Sequence, residues 1–209
     1  MKKTPRITTL FLDIGGVLLS DGWDIHARKR GAKHFKLDFN KFEALHQLAF
    51  ETYETDKLTL EEYLSRTVFN EPRSFTRAQF RQFMFAQSKP FPEMIRFIAG
   101  LKIQHGLKIF VVSNEVRELN DYRIRKFKLA ALADAFISSC YVGVRKPDTD
   151  IFRLALEIAQ TPLQQIVYIE NTLMFVKIAE GLGIRSVLHT DYQSTRKKLA
   201  AMGLLDDGA

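Results

Sequence analysis

The chain has a single cysteine, Cys140, so no internal disulfide can form. That suits a reducing cytoplasm, and the residue reads as a small buried hydrophobe. No apolar run is long enough to cross a bilayer. Lys2, Lys3 and Arg6 precede an apolar stretch, but Asp13 splits it and no small-residue cleavage site follows. A signal peptide is therefore not expected. The chain contains no GxxxxGK phosphate loop, no GxSxG elbow, no HExxH pair and no calcium loop. No zinc-binding spacing, homeodomain pattern or RNA-binding signature is present either. His26, His34, His46, His105 and His189 show no ligand spacing and read as surface or satisfied core residues. Gly181 and Gly183 follow a helical pattern rather than a strand, which argues against a dinucleotide site. Internal repeats and low-complexity segments are also missing.

What is present is ordinary globular composition. Of 209 residues, 46% are hydrophobic and 26% charged, enough for one domain plus a small insert. The net charge of +7 favours anionic partners. Two basic clusters, Arg28, Lys29, Arg30, Lys33, Lys36 and Arg123, Arg125, Lys126, Lys128, read as solvated helix faces rather than a nucleic-acid patch. Neither nucleic acid nor membrane is an expected partner.

Five short apolar runs read as buried strands: Ile7–Leu12, Lys108–Val112, Ala135–Ser138, Ile166–Ile169 and Ser186–His189. Helical patterns separate most of them, at Pro92–Gln104, Asp148–Gln160, Thr172–Gly181 and Gln193–Met202, with Gly106 as a stop. Apolar strands alternating with helices predict a parallel α/β sheet covered on both faces. The stretch from about residue 20 to 89 breaks the rhythm. It predicts four helices, near 23–34, 39–54, 59–69 and 76–87, the third opened by a capping box at Thr59 and Glu62. Nine phenylalanines in this stretch would give it a core of its own. Trp23 could line a cleft or simply pack, and the tail Leu204–Ala209 is expected to fray.

Ligands of open parallel sheets bind beyond the carboxyl ends of the strands. The first strand is followed by Asp13, Gly15 and Gly16, the second by Ser113 and Asn114, and the fourth by Glu170 and Asn171. Arg145, Lys146 and Pro147 follow the third. One edge thus receives a carboxylate, a hydroxyl, a cation and a second acid-plus-amide pair. A carboxylate can attack phosphorus to give an aspartyl-phosphate. Cations must offset the repulsion of a phosphate dianion, and Ser113 and backbone N–H groups can hold its oxygens.

The segments FLDIGGVLL, VVSNEV, GVRKPDTDIF and VYIENTLMFVKIAEGLGI, in that order, resemble the four motifs of the haloacid dehalogenase-like hydrolases. The insert phrase YETDKLTLEEYL is similar to the helical cap of the glucose-1-phosphate phosphatase-like branch. The resemblance implies a doubly wound, Rossmann-like core (1–19 and 90–209) with an inserted helical cap (20–89), hinged near Leu19–Gly22 and Ser88–Pro92. It implies an Mg²⁺-dependent phosphatase acting on a small phosphorylated metabolite, a sugar phosphate being one candidate. Asp13 maps to the nucleophile and metal ligand, and Gly15 to the carbonyl ligand. Ser113, Asn114 and Lys146 map to the catalytic and phosphate-binding positions of the second and third motifs, with Gly16 beside them. Glu170 and Asn171 map to the metal-binding acids.

Two positions depart from the family pattern. Gly15 stands where phosphatases carry an aspartate that protonates the leaving oxygen, and Asp21, Asp24 and His26 are nearby substitutes. Asn171 stands where a second acid is usual, so Mg²⁺ should bind weakly. A non-catalytic relative that binds a phosphorylated ligand or a protein, and a metal-free 2-haloacid dehalogenase, are the alternatives. Glu170 is not the uncharged residue expected of the dehalogenase.

Overall fold

A computed structural model describes residues 5–205. Five strands form one parallel sheet in the order β3-β2-β1-β4-β5: β1 (Thr9–Leu12), β2 (Lys108–Ser113), β3 (Ala135–Ser138), β4 (Ile166–Glu170) and β5 (Arg185–Leu188). The five strands match the five apolar runs, and every residue of β1 and β4 is buried, as expected of strands covered on both faces. The central position of β1 places its carboxyl end between those of β2 and β4.

Four helices lie between β1 and β2: α1 (Ile25–His34), α2 (Phe39–Glu54), α3 (Leu60–Thr67) and α4 (Arg77–Ala86). The Thr59–Glu62 capping box opens α3, and an equivalent Thr76–Gln79 box, not anticipated from sequence, opens α4. Phe42, Tyr53, Tyr63, Phe80 and Met84 are the heart of this helical insert, ringed by the edges of Trp23, Phe35, Phe69 and Phe75. The two chain segments that enter and leave the insert lie side by side, with Ser20 N–H donating to the Lys89 carbonyl at 2.8 Å.

The helices α5 (Pro92–His105), α6 (Arg117–Lys126), α7 (Ser139–Val142), α8 (Asp150–Ala159), α9 (Leu173–Gly181) and α10 (Tyr192–Ala200) complete the fold. Gly106 ends α5 in the left-handed region at φ 63°. Two core clusters divide the sheet: Leu10, Leu12, Ile109 and Val111 lie with α5 and α10 on one face, and Phe11, Phe110, Phe152 and Tyr168 with α8 on the other.

The structure corrects two expectations. Leu204 is 2% exposed and its carbonyl meets His105 Nε2 at 2.9 Å, so the tail does not fray from Leu204; residues 206–209 lie outside the described residues. Seven members of the two basic clusters are exposed, but Arg28 and Arg123 are buried. Each is turned inward and meets a carboxylate outside its own helix, Glu43 for Arg28 and Glu115 for Arg123, a pairing that helical periodicity does not mark. No helix among the described residues is long and apolar enough to cross a membrane.

Candidate active site

Asp13 follows β1, and its backbone N–H extends the ladder to the Ile169 carbonyl at 3.0 Å. The side chain is therefore carried by rigid backbone. Gly16 adopts φ +70°, and a Cβ there would stand 2.0 Å from the Asn171 side chain, so only glycine lets the turn close over that amide.

Lys146 reaches this edge from the loop before α8 and is 1% exposed. Its Nζ stands 3.0 Å from Asp13 Oδ1, 2.6 Å from Glu170 Oε2 and 3.1 Å from the Tyr168 hydroxyl. Burial alone would lower the pKa of this amine, but the carboxylates of Asp13 and Glu170 outweigh it and hold Lys146 above its ordinary value. Glu170 is pushed up by its own burial and then by Asp13, with Lys146 pulling the other way. The Tyr168 phenol donates to Glu170 Oε2. Tyr168 and Glu170 are two apart on one strand and so share a face. Glu170 Oε1 accepts from Thr172 N at 2.9 Å, so both of its oxygens are engaged.

Ser113 ends β2, 1% exposed, and its hydroxyl lies 3.5 Å from Glu115 Oε1. Asn114 lines the cavity, but its side-chain amide is engaged by backbone. Its amide donates to the Lys146 carbonyl and accepts from the Lys146 N–H, each at 2.8 Å, clamping the lysine's loop to the end of β2. Asn171 places one terminal amide atom 3.1 Å from the Gly15 carbonyl oxygen and 2.8 Å from Glu170 Oε1. As a nitrogen, that atom donates to both. As an oxygen, it joins a set of oxygens that only a cation would hold together.

A divalent cation fits this donor set. Asp13 Oδ1 is buried and accepts no hydrogen bond despite its charge contact with Lys146, and the Gly15 carbonyl, two residues on, lies 3.1 Å from the Asn171 amide. The set carries little negative charge, because Glu170 is committed to Lys146. Among the described residues no three His, Cys, Asp or Glu side chains cluster as a metal site, so a cation here depends on the carbonyl and the amide.

The edge opens into a cavity of about 390 Å³ between the sheet and the helical insert. Trp23 lines it while its Nε1–H donates to the Tyr63 hydroxyl at 3.0 Å, so it both lines and packs. Several lining residues were not read as site residues from the sequence. The buried Arg123–Glu115 pair (2.6 Å) adjoins Ser113, and the second Arg123 nitrogen donates to the Ser20 carbonyl at 2.7 Å. Arg28 forks onto Glu43 through two bonds of 2.7 Å. Glu115 is pushed up by burial, against the pull of Arg123. Asp21 is the substitute that sequence did suggest and that the fold brings closest. A Cβ on Gly15 would lie 3.0 Å from Asp21 Oδ1. Burial first, and Asp13 second, raise the Asp21 pKa. Asp24 instead caps α1 through Ala27 N at 2.7 Å, and exposed His26 does not line the cavity.

The model of the haloacid dehalogenase-like hydrolase family matches residues 7–183. The chain belongs to that family. A haloacid dehalogenase family enzyme from Bacteroides thetaiotaomicron superposes with a TM-score of 0.75 at 20% identity, over 88% of this chain and 94% of that one. The same enzyme has been solved with magnesium and inorganic phosphate. L-2-haloacid dehalogenase from Xanthobacter autotrophicus, with chloropropionic acid covalently bound, superposes with a TM-score of 0.61 at 15% identity, over 96% and 85% of the chains. These likenesses establish the fold. Drimenol cyclase drtB of Aspergillus calidoustus is 31% identical over 94 residues, 45% of this chain and 18% of that protein. The chain spans less than a quarter of the length of the curated relatives it matches.

Proposed function

We propose that this haloacid dehalogenase-like hydrolase is a phosphatase that transfers a phosphoryl group from a small monoester to Asp13 and then to water. The observation that carries the reading is Asp13 at the end of the central strand, facing the cavity 3.0 Å from a fully buried lysine. An Asp13 oxygen attacks phosphorus while the bond from phosphorus to the ester oxygen breaks. The leaving oxygen takes a proton from Asp21, whose carboxyl occupies the space beside Gly15. Asp21 then takes a proton from the water that attacks the aspartyl-phosphate, releasing phosphate and restoring Asp13. Lys146 offsets the charge of the transferring oxygens, and Ser113 together with backbone N–H groups hydrogen-bonds them.

Asp13, the Gly15 carbonyl and Asn171 would hold Mg²⁺, with Glu170 behind them, and the Mg²⁺ supplies positive charge against the phosphate dianion. The insert acts as a cap that excludes water during transfer, turning on the paired segments at Ser20 and Lys89. Supporting the phosphatase reading, a structural neighbour is known with magnesium and phosphate. The test is hydrolysis of a phosphate monoester panel with Mg²⁺ and with chelator, by wild type, Asp13→Asn and Asp21→Asn. Turnover that disappears with Asp13→Asn and falls by about 10²–10⁴ with Asp21→Asn supports it.

One observation favours a second reading. If the Asn171 amide donates to Gly15 and Glu170, it closes the cation site with its own nitrogen, as suits metal-free displacement at carbon. Halide release from 2-haloacids, undiminished by chelator, would select that reading.

A further inference from the structure

The cavity wall bears on the part of the substrate that leaves. Three arginines line it, and each is already committed to carboxylates. Arg28 is forked onto Glu43, Arg123 is paired with Glu115, and Arg145 reaches Glu54 at 2.7 Å and Glu51 at 3.3 Å. Lys146 is paired with Asp13 and Glu170. The lining His46 is neutral at physiological pH, its pKa pushed down to about 3 by burial and then by Arg28. The wall also contributes Asp21, which makes no hydrogen bond or ion pair among the described residues, and Asp24, spent on a helix cap. No lysine or arginine of the described wall is left without a carboxylate. Among these groups the wall presents the apolar side chains of Trp23, Ile25, Phe50, Val116, Leu119 and Phe175.

A second anionic group on the substrate would find no free cation here and would face the carboxylates of Asp21 and Asp24, neither of which is paired with a cation, which disfavours binding. An uncharged apolar group would displace water from the aromatic edges instead. Building on the phosphatase reading, we infer that the substrate is a phosphate monoester with an uncharged, largely apolar organic part, and that esters bearing a further carboxylate or phosphate are excluded. The selectivity comes from the pre-paired arginines rather than from the phosphoryl end, which every monoester shares.

Non-hydrolysable phosphonates separate this inference from catalysis. Wild-type protein in Mg²⁺ is titrated calorimetrically with phenylphosphonate and with para-carboxyphenylphosphonate. The carboxylated ring should bind at least about tenfold more weakly, because it adds a like charge to an otherwise identical ligand. Glu54→Gln, which leaves Arg145 only its longer contact with Glu51, should recover affinity for the carboxylated ring severalfold. Equal or tighter binding of the carboxylated ring by wild type overturns the inference, as does no binding of either. The expected binding order in a protein that hydrolyses no monoester overturns the phosphatase reading and leaves the preference of the wall standing.

Discussion

Asn171→Asp exchanges a hydrogen-bonding amide for a charge at the point where a cation site and a closed site differ. One terminal atom of Asn171 lies 2.8 Å from Glu170 Oε1 and 3.1 Å from the Gly15 carbonyl. As a carboxylate, residue 171 can donate to neither and sets a second negative charge against Glu170, which is 0% exposed. Two lost hydrogen bonds at about 1 kcal/mol each, plus like-charge repulsion only partly offset by Lys146, give a loss of about 3 kcal/mol without metal. For a chain of this size that is about 6–12 °C in Tm. Mg²⁺ then finds a second charged ligand and should restore the loss, binding at least about tenfold more tightly than to wild type. Thermal unfolding followed by circular dichroism, in EDTA and across an Mg²⁺ titration, measures both. A variant as stable as wild type in EDTA and unresponsive to Mg²⁺ would refute the reasoning.

Lys146→Met leaves Asp13 and Glu170 facing each other in a buried site; loss of activity and about 3–5 kcal/mol of stability are expected, read by enzyme assay and urea unfolding. Gly16→Ala places a Cβ into the Asn171 side chain at φ +70° and should cost about 1–3 kcal/mol while loosening the cation site, read by the same unfolding and by Mg²⁺ titration. His46 has a native pKa of about 3 against 6.5 in the unfolded chain. Below pH 6.5 the unfolded chain binds a proton that the native state refuses, so stability falls with pH by up to about 1.4 kcal/mol per unit toward pH 3. Urea midpoints at pH 7 and pH 5 should show this slope in wild type and a flatter one in His46→Phe.

The sheet and the helical insert were legible because both rest on local periodicity. Continuous apolar runs mark β1 to β5, and the Thr59 capping box marks α3. Asp13, Ser113 and Glu170 were legible because a parallel sheet brings strand ends to one edge whatever the side chains are. The rest of the site depends on side-chain pairings that periodicity does not mark. Arg123 and Arg28 sit in runs of basic residues whose other members are exposed, and only the partners Glu115 and Glu43 distinguish them. Asn114 reads as a ligand from its position after β2, yet its amide is spent on the backbone of Lys146, 32 residues away. Asp21 illustrates partial legibility: sequence proximity offered three substitutes for the missing acid, and only the fold separates Asp21, beside Gly15, from Asp24, which caps α1, and His26, which does not line the cavity.

The central claim is that Asp13 carries the phosphoryl group. Acid-quenching the protein during turnover of an aryl phosphate, followed by peptide mass spectrometry, tests it directly. The account predicts a base-labile phosphoryl group on the peptide containing Asp13, lost in Asp13→Asn. Turnover with that peptide unmodified, or persisting in Asp13→Asn, would contradict it.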